Sequence, residues 1–97
     1  MPKSADEIYK DVVDHVGNDD YSTWYAGIAA QPKHRLFEDH NVSESMGRWI
    51  HVRAHDNATA REAEKLLHDA GFDGGPGGGD AETTAVYAYK KTKSTVE

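Results

Sequence analysis

The sequence predicts one small α+β domain, in which helices pack on a three-stranded sheet in the order αβαβαβ. The chain has 97 residues, the length of a single domain. Apolar residues recur at helical spacing in two segments and alternate at strand spacing in three others. Capping residues and glycines bound the two helical patterns. A sheet this small is mixed or antiparallel, and the pattern leaves its strand order open.

Residues 4–17 form the first predicted helix. Its apolar side chains follow the spacing i, i+3, i+4, i+7, i+8 and i+11, which makes one stripe. The stripe consists of Ala5, Ile8, Tyr9, Val12, Val13 and Val16. Ser4 and Glu7 have the spacing of a capping box, and Gly17 suits the C-terminal end. We expect this helix to be structural, with its acidic face in solvent.

The second and third elements are a strand over 21–29 and a helix that begins at Pro32. Proline suits the first helical position because its missing N–H has no intrahelical partner there. The helix directs Leu36 and Phe37 inward and ends near residues 40–41. Successive strand residues point to opposite faces. One face of the strand carries Tyr25, Gly27 and Ala29, and the other carries Trp24, Ala26 and Ile28.

The second strand is predicted over 48–55, where apolar and polar residues alternate strictly. The apolar face carries Ile50, Val52 and Ala54, and the other carries Trp49, His51, Arg53 and His55. Asp56 or Asn57 caps a third helix that ends at Gly71. Its buried stripe is predicted to be Ala60, Ala63, Leu66, Leu67 and Ala70.

The C-terminal part contains a glycine-rich loop over 74–80 and a last strand over 83–91. We expect the loop to be a mobile connector, since it lacks the Lys-Ser/Thr of a P-loop. The last strand alternates Val86 and Ala88 on one face with Tyr87 and Tyr89 on the other. Residues 93–97 are expected to be a frayed tail.

Composition excludes several classes of protein. There is no cysteine, which removes disulfide scaffolds, Cys-ligated zinc and a cysteine nucleophile. No apolar run approaches the length of a membrane span, and the N-terminus lacks an apolar signal region, so we expect a cytoplasmic protein. The net charge is -6. Residues 1–20 contribute -4 of it, two lysines against six acidic residues, so a locally basic surface elsewhere remains compatible.

One stretch, residues 24–41, resembles the second half of the GIY-YIG nuclease signature. In that family a strand with Tyr-x-Gly leads into a helix, with an Arg ten residues after the Tyr. Here Tyr25 and Arg35 have that spacing, and an Arg-Leu-x-x-x-His-Asn continuation places His40 as in small single-domain members. On the third helix, Ala60-x-x-x-Glu64-x-x-Leu67 looks like the setting of the family's metal-binding Glu.

The resemblance implies metal-dependent hydrolysis of a phosphodiester in DNA, with Mg²⁺ or Mn²⁺ held by Glu64. Arg35 would contact the scissile phosphate through its planar fork. His40 would shuttle a proton. Tyr25, with Tyr87 or Tyr89, would orient or deprotonate the attacking water. On the helical wheel Glu62 lies as far from the buried stripe as Glu64, and only the spacing to Leu67 favours Glu64.

The family's first Gly-Ile-Tyr strand is missing, because the matching region lies inside the first helix. Either the domain has lost that strand and its activity, or the last strand replaces it by pairing beside 24–29. We favour replacement, which puts Tyr87 or Tyr89 opposite Tyr25. The alternative function is a catalytically incomplete module with the same fold that binds nucleic acid or protein. We expect DNA as the partner, with a protein partner also open, and no membrane.

The histidines of the second strand do not form a metal site. His51 and His55 share one face but lie about 13 Å apart along a strand, too far to share an ion. We expect the face that also carries Arg53 to be solvent-exposed or to form a positive wall beside the site.

Overall fold

The computed structural model describes residues 3–74 and 82–96; the predicted glycine-rich loop lies outside these ranges from residue 75 onward. The helices are α1 (Ala5–Val16), α2 (Pro32–His34, continuing as a π-helical turn over Arg35–Asp39) and α3 (Asn57–Ala70). The strands are β1 (Trp24–Ala29), β2 (Trp49–Arg53) and β3 (Ala85–Lys90). The predicted α+β class and the αβαβαβ order are confirmed.

The three strands form one antiparallel sheet in the order β1-β3-β2, so the last strand of the chain is the central one. Its pairing with β1 confirms the expectation that the C-terminal strand lies beside 24–29. The register sets Tyr89 directly opposite Tyr25, and Tyr87 opposite Gly27. On the other side, Tyr89 faces Trp49 and Tyr87 faces His51.

The two faces of the sheet have different cores. Helices α1 and α3 cover one face, where small and aliphatic residues dominate. This core contains Ile8, Val12, Val16, Trp24, Ala26, Ala60, Ala63, Leu67, Val86 and Ala88. The opposite face is aromatic and packs against α2 and the segment after it. Its buried members are Tyr25, Ala29, Leu36, Val42, Tyr87 and Tyr89.

Helix α1 forms as its sequence predicts. The Ser4 hydroxyl accepts from the Glu7 N–H, the Glu7 carboxylate accepts from the Ser4 N–H, and Gly17 ends the helix with a φ of 69°. Ala5, Ile8, Val12 and Val16 are buried. In α3, Asp56 is the N-cap, and Ala60, Ala63 and Leu67 are buried, whereas Leu66 and Ala70 are only half-buried.

All three strands are shorter than predicted. Residues Tyr21–Thr23 form a 3₁₀ turn rather than the start of β1, because the Asp20 carboxylate accepts from the Ser22 N–H at 2.9 Å. Such a local side-chain hydrogen bond stabilises a turn, which competes with the backbone pairing of a β-strand. The ends of β2 and β3 are also trimmed to the residues that face each other across the ladder.

The helix after Pro32 is not the regular helix that was predicted. The His40 N–H donates to the Arg35 carbonyl at 2.8 Å, five residues back, which is the π-helical pattern. Asn41 then takes a positive φ of 56° and ends the turn. The wider turn brings His40, predicted near the helix end, into a buried position.

Residues 93–96, part of the segment predicted to be a frayed tail, make hydrogen bonds to the segment around His40. The Val96 N–H donates to the His40 carbonyl at 2.8 Å, and the Asn41 side chain donates to the Ser94 carbonyl at 2.9 Å. The polar composition of the tail gave no sign of these contacts, because on the tail's side they are made by backbone groups, the Val96 N–H and the Ser94 carbonyl.

Truncating the α1 stripe should destabilise the fold. Val12 is fully buried, so Val12→Ala is expected to lower the free energy of unfolding by about 1–3 kcal/mol through lost packing. Chemical denaturation followed by circular dichroism measures it. Val13→Ala, at a half-buried position on the same helix, is the matched control and should cost less. Equal losses in the two variants would contradict this packing.

Candidate active site

The candidate site lies on the aromatic face of the sheet, where cross-strand rows bring its residues together. Directly opposite residues of an antiparallel pair carry side chains on the same face. One row therefore runs Tyr25–Tyr89–Trp49, and the next runs Gly27–Tyr87–His51. The Tyr25 and Tyr89 rings stack at a centroid distance of 5.2 Å. Of the two tyrosines predicted as candidates to lie opposite Tyr25, the register therefore selects Tyr89.

His40, at the end of the π-helical turn, packs against the same tyrosines on the aromatic face of the sheet. Its ring centroid lies 4.9 Å from that of Tyr25, 5.5 Å from Tyr87 and 4.9 Å from Tyr89. All four side chains are buried, and Tyr25, at 9% exposed, is the most accessible of them. We call these four residues the Tyr–His cluster. The π-helical turn is what places His40 there, since an α-helical continuation would rotate the residue away.

The hydrogen bonds of His40 fix its tautomer. Nδ1 lies 2.6 Å from the Val96 carbonyl oxygen, which only accepts, so Nδ1 carries the proton. In the neutral ring Nε2 is then an acceptor, and the Tyr87 hydroxyl donates to it at 2.7 Å. The Tyr89 hydroxyl lies 3.0 Å from Nδ1 and also donates to the Val96 carbonyl at 3.3 Å. The Tyr87 hydroxyl is therefore the donor and His40 Nε2 the acceptor of this hydrogen bond.

Gly27 lets the Tyr87 ring lie against β1. A Cβ at this position would come within 2.7 Å of the Tyr87 hydroxyl oxygen and 2.9 Å of Cζ. Any other residue would push the ring away from His40. The glycine of the Tyr-x-Gly pattern thus has a packing role. The sequence alone indicated only that Gly27 lies on the same face of the strand as Tyr25.

Burial and several charged groups of the predicted site influence the pKa of the Tyr87 hydroxyl. Burial raises its pKa well above the ordinary range, and the neighbouring Tyr25 adds to the shift. The Arg35 guanidinium opposes this rise, while the carboxylates of Glu64 and Asp39 contribute to it. The Tyr87 phenol stays protonated near neutral pH, which does not fit the predicted option that it deprotonates water.

Arg35 is the exposed cation of the site. Its side chain is 56% exposed and is paired only with Asp39, at 3.6 Å, among the residues described. An exposed i,i+4 pair of this kind contributes little to stability and is readily exchanged for another anion. The guanidinium is thus available to a phosphate that approaches the Tyr–His cluster.

Glu64 is a half-buried carboxylate on α3, which packs against β1 on the sheet face opposite the Tyr–His cluster. Burial raises the pKa of its carboxyl, and the nearby His68 and Arg61 oppose the rise. Within residues 3–74 and 82–96, no three His, Cys, Asp or Glu side chains group to hold a metal ion. A lone carboxylate still suits Mg²⁺, which keeps most of its waters and takes further ligands from substrate phosphates. Glu62 is exposed on the same helix.

The sequence did not reveal the contribution of Val96 or Asp39. The Val96 carbonyl is a backbone group whose position depends on the path of the chain, and no residue pattern marks it. Asp39 lies four residues after Arg35 and pairs with it at 3.6 Å.

Comparison with known proteins gives no relative. No family model matches the chain, no curated protein matches it, and no solved structure matches its fold. None of the helices within the described ranges has the length and apolar character needed to cross a membrane.

The fit of Tyr87 over Gly27 can be tested with a double-mutant cycle. Gly27→Ala should cost about 1–3 kcal/mol of unfolding free energy, because the added methyl meets a ring held by His40. The loss should shrink by at least about 0.5 kcal/mol in a Tyr87→Phe background, where the hydroxyl is gone. Tyr89→Phe, whose hydroxyl is not among the near neighbours of Gly27, is the control background and should leave the cost of Gly27→Ala unchanged.

Proposed function

We propose that this protein is a metal-dependent, GIY-YIG-like endonuclease that hydrolyses phosphodiesters in DNA. The observation that supports this most is the Tyr–His cluster, where Tyr25, Tyr89 and His40 are in ring contact. Arg35 and Glu64, to which the resemblance assigns the phosphate and the metal, both influence the pKa of the Tyr87 hydroxyl in this cluster, Arg35 lowering it and Glu64 raising it. Arg35 continues α2 and Glu64 lies on α3, so this shared influence depends on the fold and not on their spacing in the chain.

The roles follow from exposure and chemistry. Arg35, the exposed cation, would bind the scissile phosphate with its two-pronged guanidinium. Glu64 would hold a divalent ion, which when bound supplies charge neutralisation on the phosphoryl oxygens. Tyr25, the most accessible of the three tyrosines, would orient the attacking water. Burial favours the neutral form of Glu64, so a bound cation would also offset the cost of ionising that carboxyl.

Tyr87, Tyr89 and His40 would then position Tyr25 and the substrate phosphate without taking the water's proton. The Tyr87 hydroxyl already donates to His40, and the Tyr89 hydroxyl is held at the Val96 carbonyl. A proton shuttle through His40 would need the Tyr87–His40 bond to reverse, with Nε2 becoming protonated. The fixed tautomer favours a positioning role for His40 over the shuttle that the resemblance implies.

A second candidate is a catalytically incomplete module that binds nucleic acid. The burial of the Tyr–His cluster and the raised pKa of Tyr87 favour it, since neither leaves a ready general base. In this alternative Arg35 still contacts a phosphate, and Glu64 has no role in the reaction.

Cleavage assays separate the two candidates. With Mg²⁺ or Mn²⁺ and plasmid, flap and single-stranded DNA, we expect cleavage that EDTA abolishes. Glu64→Gln and Arg35→Gln should each reduce the rate by about 10²-fold or more, as loss of a charge-stabilising group does. Glu62→Gln, an exposed neighbour on the same helix, is the matched control and should leave the rate unchanged.

Three other outcomes have clear meanings. DNA binding without cleavage in any metal supports the binding module. Cleavage that survives Glu64→Gln overturns the metal assignment. Neither binding nor cleavage contradicts both candidates.

A further inference from the structure

Strand β2 carries a basic and aromatic strip beside the Tyr–His cluster. The strip consists of Trp49, His51 and Arg53 on one face of β2, together with Lys33 on α2. Trp49 and His51 are half-exposed, while Arg53 and Lys33 are exposed. Trp49 and His51 lie in the same cross-strand rows as Tyr89 and Tyr87 of β3, so these two residues continue the candidate site across the sheet. We refer to it as the β2 strip.

The two rings of the strip are parallel and held in place. The Trp49 and His51 rings lie 5.9 Å apart between centroids, with an angle of only 2° between their planes. Phe37 packs edge-on against Trp49 at 5.0 Å, and the indole N–H donates to the Glu44 carbonyl at 3.1 Å. The rings therefore need little further ordering when a flat group stacks on them, which lowers the entropic cost of binding.

The cations of the strip act on His51 and lack acidic partners among the residues described. Burial lowers the pKa of His51, and the positive charges of Lys33 and Arg53 lower it further. Arg53 donates to the Thr84 hydroxyl at 2.6 Å, which orients it. Within residues 3–74 and 82–96, neither Lys33 nor Arg53 forms an ion pair. Two cations and two parallel rings on one surface are complementary to a polymer that carries both negative charges and flat rings.

We propose that the β2 strip binds a single-stranded segment of DNA, with a base stacked on the Trp49–His51 rings and phosphates at Lys33 and Arg53. This inference rests on the proposed function, since it specifies that the DNA substrate is bound in single-stranded form. Bases in a duplex already stack on their neighbours, whereas an unpaired base can add its face to a protein ring. An acidic protein segment would use the cations but would gain nothing from the aligned rings.

Binding is measured separately from cleavage. Anisotropy of a fluorescein-labelled oligothymidylate of about 15 nucleotides is followed in EDTA, so that no metal chemistry occurs. We expect salt-dependent binding that is tighter than to a duplex of the same length. His51→Ala should weaken it about 5-fold or more, the loss typical of one stacked base. Lys33→Gln and Arg53→Gln should each lower the slope of log affinity against log salt by about 0.7.

Matched controls come from outside the strip. His55→Ala removes an exposed ring just beyond β2, and Lys10→Gln removes an exposed cation on α1; neither should change the affinity or the slope. Tryptophan fluorescence adds a second signal, since Trp24 is fully buried and Trp49 is half-exposed. Unlabelled oligothymidylate should quench the fluorescence, and Trp49→Phe should remove the quench.

Each remaining result overturns the proposal. Absence of binding, tighter binding to duplex, or control variants that weaken binding as much as His51→Ala all exclude the β2 strip as the single-strand site. Salt-dependent binding with no effect of His51→Ala and no quench excludes the stacked base. Glu64→Gln separates the two proposals: it should abolish cleavage and leave this binding intact, so a failure of catalysis and a failure of the strip are distinguishable.

Discussion

The imidazole of His40 is the interaction on which the aromatic face depends. It accepts a hydrogen bond from Tyr87, lies against Tyr89 and donates to the carbonyl of Val96, so it joins α2, the central strand and the C-terminal segment. A central strand with two buried phenols is costly unless each hydroxyl finds a partner. No buried side-chain polar atom in the described residues lacks one. The Tyr–His cluster can therefore be buried and polar at once.

In the candidate site, buried and exposed residues have different roles. The buried Tyr–His cluster positions its neighbours, while two exposed cations, Arg35 on the turn that continues α2 and Arg53 on β2, would bind the ligand. The acidic residues of α1 do not oppose this, because α1 packs on the other face of the sheet. Exposed charges separated by more than about 8–10 Å are largely screened at physiological salt. An overall charge of -6 is thus compatible with a locally basic ligand surface.

Periodicity and capping were sufficient to predict the elements, and the need for a third strand was sufficient to pair the last strand with β1. The sequence left the order β1-β3-β2 open, because alternation does not say which strand lies in the middle. It also missed the π-helical turn, since an extra residue in a turn changes no apolar spacing that a short helix displays. The docking of residues 93–96 on His40 was hidden because backbone groups make it. Side-chain identities thus revealed candidate residues, and backbone geometry decided how they meet.

The protonation state of His40 tests this account most directly. A long-range ¹H–¹⁵N correlation spectrum of the protein at neutral pH assigns the proton to one ring nitrogen. The account predicts a protonated Nδ1 and an unprotonated Nε2 whose ¹⁵N shift changes in Tyr87→Phe, where the donated hydrogen bond is lost. The other neutral tautomer, with its proton on Nε2, would contradict the account. Nδ1 would then face the Val96 carbonyl without a hydrogen, and the Tyr87 hydroxyl could not donate to Nε2.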